Sequence, residues 1–128
     1  MAQLDNTLDK WRALVDRLIY YTNIKKLVWK GSADDGTFLT RISGTQITLI
    51  EHVRDDENYE VFDYIIRIHN RNGEVVDQFS DDDISSNDRP YHKKMRDLYR
   101  TIVRMENGSE DILNSLLEEL PDPDELPF

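Results

Sequence analysis

His52, His69 and His92 are the only three histidines in the chain, and they are the first place to look for chemistry. None stands at metal-ligand spacing to another, and no H-E-x-x-H pair is present. If 46–53 and 59–70 are neighbouring strands, His52 and His69 can approach each other beside Glu51 and Asp63. Solvent-facing strand histidines are the plainer reading, so no metal is expected. The sequence has no G-x-S-x-G elbow for a serine nucleophile. It also has no Gly-rich loop of the kind that cradles phosphate. With no cysteine, thiol nucleophiles, disulfides, Cys-based zinc sites and iron–sulfur clusters are excluded. Two carboxylate runs remain, Asp55-Asp56-Glu57 and Asp81-Asp82-Asp83. Neither has the alternating ligands and the glycine of an EF-hand loop. Both read as hydrated loops. No catalytic residue is assigned and no cofactor is expected.

The 128 residues carry a net charge of −10. Such a surface repels phosphate backbones and anionic lipid, so direct nucleic-acid binding is not expected. It either keeps the protein soluble, the plainer reading, or favours a basic protein partner. Lys93, Lys94, Arg96, Arg100 and Arg104 fall on one helical stretch and read as a solvated face paired with local acids. The opening MAQLDNTLDKW lacks a basic n-region and an apolar h-region, so no signal peptide is expected. No apolar run approaches the roughly 20 residues of a membrane span. The absence of cysteine suits a reducing compartment, and the expected location is the cytoplasm.

The elements that must position these residues are legible from periodicity. Leu4, Leu8, Trp11, Leu14, Leu18 and Tyr21 recur at helical spacing, with Val15 and Ile19 widening the stripe. Leu27-Val28-Trp29 is short and β-prone, with Trp29 read as core. Strands follow at 37–42, 46–53, 59–70 and 74–79. Ser43-Gly44-Thr45 and Arg71-Asn72-Gly73 mark tight turns, and 54–58 marks a charged loop. Short turns make neighbours antiparallel. Residues 80–87 read as a polar loop, with Asp88 as a cap for the next helix. Tyr91, Met95, Leu98, Ile102 and Met105 then form a helical stripe that Asn107-Gly108 ends. Ser109 caps a last helix with Ile112, Leu113, Leu116, Leu117 and Leu120. The fold class is α+β: an N-terminal helix, an antiparallel meander of about five strands, and two C-terminal helices packed on one sheet face. Residues 1–120 form one domain and 121–128 an acidic, proline-containing tail.

Strand alternation assigns the faces. Phe62, Tyr64, Ile66 and Ile68 share one face of the long strand, expected to pack under Trp11, Leu14 and Leu18. Asp63, Arg67 and His69 share the other with Val61 and Ile65. Leu39 and Ile50 also point to that second face. If Leu39, Ile50, Val61 and Ile65 are neighbours, they form an interaction surface or a homodimer face. The acids Asp55, Asp56, Glu57, Asp81, Asp82 and Asp83 would add a rim that attracts a basic partner.

The order of elements resembles a loose group of small uncharacterised bacterial and phage proteins. In that group an "lxW" strand follows the first helix and an "LYxxxR" helix comes late. Here these are Leu27-Val28-Trp29 and Leu98-Tyr99-Arg100-Thr101-Ile102-Val103-Arg104, the latter with four residues rather than three between Tyr99 and Arg104. The resemblance implies a fold and a bacterial or phage setting, and it carries no activity. The expected function is a non-enzymatic protein–protein interaction module, a small acidic accessory, regulatory or immunity-type protein. The alternative is a small-ligand or nucleotide-sensing domain. Its pocket would lie between sheet and helices, with Arg67, His69 and Arg100 as its polar groups.

Overall fold

The computed structural model describes residues 6–56 and 59–125. Helix α1, Thr7–Asn23, starts where the Asn6 side chain accepts the Asp9 backbone N–H at 2.7 Å. A five-stranded antiparallel meander follows, with strands in chain order across the sheet. The strands are β1 Lys30–Gly31, β2 Thr37–Ile42, β3 Thr45–Asp56, β4 Tyr59–His69 and β5 Val75–Ser80. Gly44, at φ 80°, and Gly73, at φ 84°, supply the left-handed backbone at two of the tight turns. Beyond the sheet come the one-turn α2, Asp81–Ile84, then α3, His92–Glu106, and α4, Ser109–Glu119. Pro123–Glu125 forms a single 3-10 turn. No helix among the described residues is long and apolar enough to cross a membrane.

The α+β class and the element order agree with the pattern of the sequence. Several bounds differ for identifiable reasons. The first strand is Lys30–Gly31, and Trp29 just before it turns inward, where its Nε1–H donates to Thr22 Oγ1 at 2.9 Å. Arg54, Asp55 and Asp56 do not form a loop. They continue β3 opposite Val61, Glu60 and Tyr59, while Glu57 and Asn58 lie outside the described residues. The polar stretch after β5 is not all loop either. Ser80 closes a reciprocal capping box with Asp83, which nucleates α2. Asp88 caps nothing, because α3 begins four residues later behind Tyr91. Gly108, at φ 72°, holds the N-cap position expected for Ser109.

The register puts Phe38, Leu49, Ile66 and Phe79 in one row across the sheet. That row lies under the helices. Val15 and Leu18 of α1 and Met95, Leu98 and Ile102 of α3 are buried with it. Trp11 stacks on Phe79 at 5.0 Å, and its Nε1–H donates to Asp77 Oδ2 at 2.8 Å. The expected burial of the Phe62, Tyr64, Ile66 and Ile68 face is therefore met. Tyr64 and Ile66 are fully covered, and Phe62 and Ile68 are partly covered.

Candidate functional site

Two surfaces compete for the role of site: the sheet face turned away from α1 and α3, and helix α4. The open sheet face carries the alternate rows. Ile50 stands directly opposite Ile65, and Leu39 shares its row with Thr48 and Arg67. A shallow depression of about 350 Å³ gathers Leu39, Ile50, Ile65, Arg67 and His69 around Thr48. Val61 does not join them. It lies four residues along β4 from Ile65, beyond the pair His52 and Asp63. The three apolar side chains are only partly exposed, and Thr37, Thr48 and Arg67 interrupt them. The polar groups are already engaged with one another. Arg67 Nε donates to Gln78 Oε1 at 2.7 Å, and His69 Nε2 lies 3.0 Å from Thr48 Oγ1.

The proposed ligand trio does not assemble. Arg67 and His69 sit on the open face, whereas Arg100 lies on α3, whose Tyr99 packs on Tyr64 of the covered face. A one-residue alternation separates Arg67 from Ile66 and sends them to opposite sides of the sheet. His52 and His69 do not meet either. His52 is opposite Asp63, and His69 is opposite Gln46. Six residues of extended β3 separate the two positions, about 20 Å at the usual rise. Among the described residues, no group of three or more His, Asp or Glu could hold a metal ion.

The acidic run at 81–83 is not a free contact loop. Asp81 is only 5% exposed. It accepts the Tyr64 backbone N–H at 2.8 Å and lies 2.8 Å from His92 Nδ1. Asp83 is spent on the capping box, which leaves Asp82 as the free exposed acid of the three. The backbone of Asp55 and Asp56 is fixed in β3. The basic side of α3 is largely paired locally. Lys94 reaches Asp16 at 3.3 Å, and Arg104 reaches Glu110 at 2.6 Å.

The interior between sheet and helices holds phenols rather than a polar pocket. Burial pushes the Tyr64 hydroxyl well above its ordinary value. Its hydrogen bond to Glu51, at 2.9 Å, and that carboxylate's charge add to the shift, while Arg100 and Arg96 oppose it. Burial also raises Tyr91, helped by its bond to Asp16, and Tyr99, helped by the charges of Glu51 and Asp35. These groups stay protonated through the physiological range and offer no general base.

Helix α4 is different in kind. Ile112, Leu113, Leu116, Leu117 and Leu120 are between 43% and 71% exposed, and no residue of the helix is buried. At 3.6 residues per turn these five fall within an arc of about 140°. Glu110 and Glu119 flank that arc, one on each side. The stripe was visible as an amphipathic pattern. Its exposure was not, because α1 and α3 already cover the sheet. Gly108 turns the chain away from it at φ 72°.

No family model matches the chain, and no curated protein and no solved structure matches it. The functional reading therefore rests on these surfaces alone.

Proposed function

We propose that this chain is a non-enzymatic protein–protein interaction module and that α4 is its binding element. One observation carries the reading: five large apolar side chains lie uncovered on one face of a regular helix. Full burial of such a side chain from full exposure is worth roughly 1.5–3 kcal/mol, and about half of that remains to be gained at each of these positions. An amphipathic helix presenting such a face is a standard ligand for an apolar groove.

Charge sets the chemistry of that groove. Residues 105–128 contain eight carboxylates and no Lys or Arg, so this stretch holds −8 of the chain's net −10. The remaining 104 residues are close to neutral. The acidity expected to attract a partner thus lies beside the leucines of α4, rather than in the runs at 55–57 and 81–83. A groove that accepts α4 should be apolar along its floor and basic along its rim.

The test is the double variant Leu116→Asp/Leu117→Asp. In dilute solution its thermal melt should match that of the wild type, because neither residue is buried. Cross-linking in cells should yield complexes with the wild type, whether with itself or with another protein, and these should disappear with the variant. Complexes that survive the double substitution unchanged would overturn the reading.

A further inference from the structure

Resting on that reading of α4, we infer that its occupant is a second copy of this chain: α4 of each protomer docks in a basic-rimmed apolar groove beside α1 of the other. The groove starts in a depression of about 340 Å³ floored by Leu14, Leu18, Leu27 and Ile42, with Arg17 and Lys26 on its rim. Leu27 also lines a second depression, of about 280 Å³, so the two adjoin at that residue. The second is bounded by Val28 and Met105, with Lys25 on one edge and Glu106, Glu110 and Asp111 on the other, so the basic rim belongs to the first depression. Tyr21, on the first, and Val28, on the second, are substantially exposed.

The complementarity is in the sequence as well as the shape. From residue 17 to residue 33 the chain holds Arg17, Lys25, Lys26 and Lys30 and no acid. None of these four cations makes an ion pair among the described residues. An apolar helix edged with carboxylates and an apolar groove edged with unpaired ammonium and guanidinium groups satisfy each other's requirements. The match also disfavours the simplest alternative dimer. Packing α4 against α4 would bring two −8 segments together and leave both grooves open.

The geometry suits a reciprocal exchange. The root of α4 already borders the groove, since Gly108, Glu110 and Asp111 line its second depression. From there α4 runs on with its apolar face uncovered. Asn107 and Gly108 form a two-residue junction, with Gly108 left-handed and open space where a Cβ would stand. Under two-fold symmetry, helix meets groove and groove meets helix, so the contact closes at two copies.

A charge swap tests this by sedimentation equilibrium on the full chain. The wild type should shift with concentration from the mass of one chain, 15.1 kDa, to twice that. Lys25→Glu/Lys26→Glu reverses two of the groove's four cations, and Glu118→Lys/Glu119→Lys reverses two of the four acids of α4. Each double variant alone should dimerise at least about tenfold more weakly than the wild type. Their equimolar mixture should recover dimer, because the 25/26 pair of each groove then faces a 118/119 pair of opposite sign. Near-ultraviolet circular dichroism identical to wild type would show that both variants fold. A mixture no better than its parents overturns the inference. So does a wild type that stays monomeric at every concentration, whether α4 folds back on its own groove or awaits another protein. A monomer that still forms α4-dependent complexes in cells overturns only the second-copy occupant and leaves the interaction reading intact. Dimers that persist with Leu116→Asp/Leu117→Asp would move the interface elsewhere and overturn both.

Discussion

Helices α3 and α4 are consecutive, both amphipathic, and joined by two residues, yet they meet opposite fates. Tyr91, the N-cap of α3, and Met95, Leu98 and Ile102 within it are at most 4% exposed. The corresponding stripe of α4 is uncovered along its whole length. The stripe itself does not explain this, since α4 is the more apolar of the two. Room on the sheet does. The sheet has one covered face, and α1 and α3 fill it with Val15, Leu18, Met95, Leu98 and Ile102. A third helix has no sheet left to pack on. An apolar stripe shows that a face needs a cover, and the topology decides whether the chain supplies it.

That contrast can be broken by experiment, beginning with the largest effect. Ile102→Ala on α3 removes a side chain that is 1% exposed within the core. It should cost roughly 2–5 kcal/mol in denaturant melts, and Ile66→Ala beneath it should cost the same. A melt unchanged by either substitution would mean that the covered face is misassigned.

Asp81→Ala should be the next most damaging. It removes the acceptor of the Tyr64 backbone N–H and leaves that donor buried without a partner. The expected loss is roughly 1–3 kcal/mol. Asp82→Ala, one residue along and exposed, should lie within about 0.5 kcal/mol of wild type. Equal effects of the two would contradict the anchoring role of Asp81.

Alkaline pH should act on the covered side alone. Tyr64, Tyr91 and Tyr99 have folded values raised above the ordinary phenol value of about 10. A raised folded value favours the protonated form in the fold. The stabilisation is therefore complete below about pH 10 and is lost as pH climbs from there through the raised values. Melts should be flat from these groups up to that point and fall beyond it. Tyr64→Phe should make the fall shallower. A decline already complete below pH 9 would need another cause.

The smallest effect is expected on α4. Leu116→Asn and Leu117→Asn, at positions 52% and 61% exposed, should each stay within about 0.5 kcal/mol of wild type in dilute solution. Losses of the size expected for Ile102 would make α4 a core element.

Much of this fold was legible from periodicity, because its elements satisfy local and global demands together. The alternation of Phe62, Tyr64, Ile66 and Ile68 identified the covered face, and Asn72-Gly73 placed the last hairpin. The site was less legible. Leu39, Ile50 and Ile65 do share the open face, as alternation requires, but neighbouring Thr and Arg side chains break their continuity. Val61 is separated from them by the spacing of β4. Asp81 looked like one of three hydrated acids, and its burial depends on Tyr64 and His92, which contact it only in the folded chain. The α4 stripe had the right residues but no signal of its exposure. That depends on how much sheet the other helices leave.

Amide hydrogen exchange on dilute wild-type protein tests the contrast most directly, because it compares both helices in one sample. The account predicts that amides of Met95–Ile102 exchange only through opening of the whole core. Amides of Leu113–Leu120 should exchange through local opening with far weaker protection, and should gain protection as concentration rises and α4 is covered. Protection in α4 equal to that in α3 in a dilute monomer would contradict the account, because α4 would then belong to the core of its own chain.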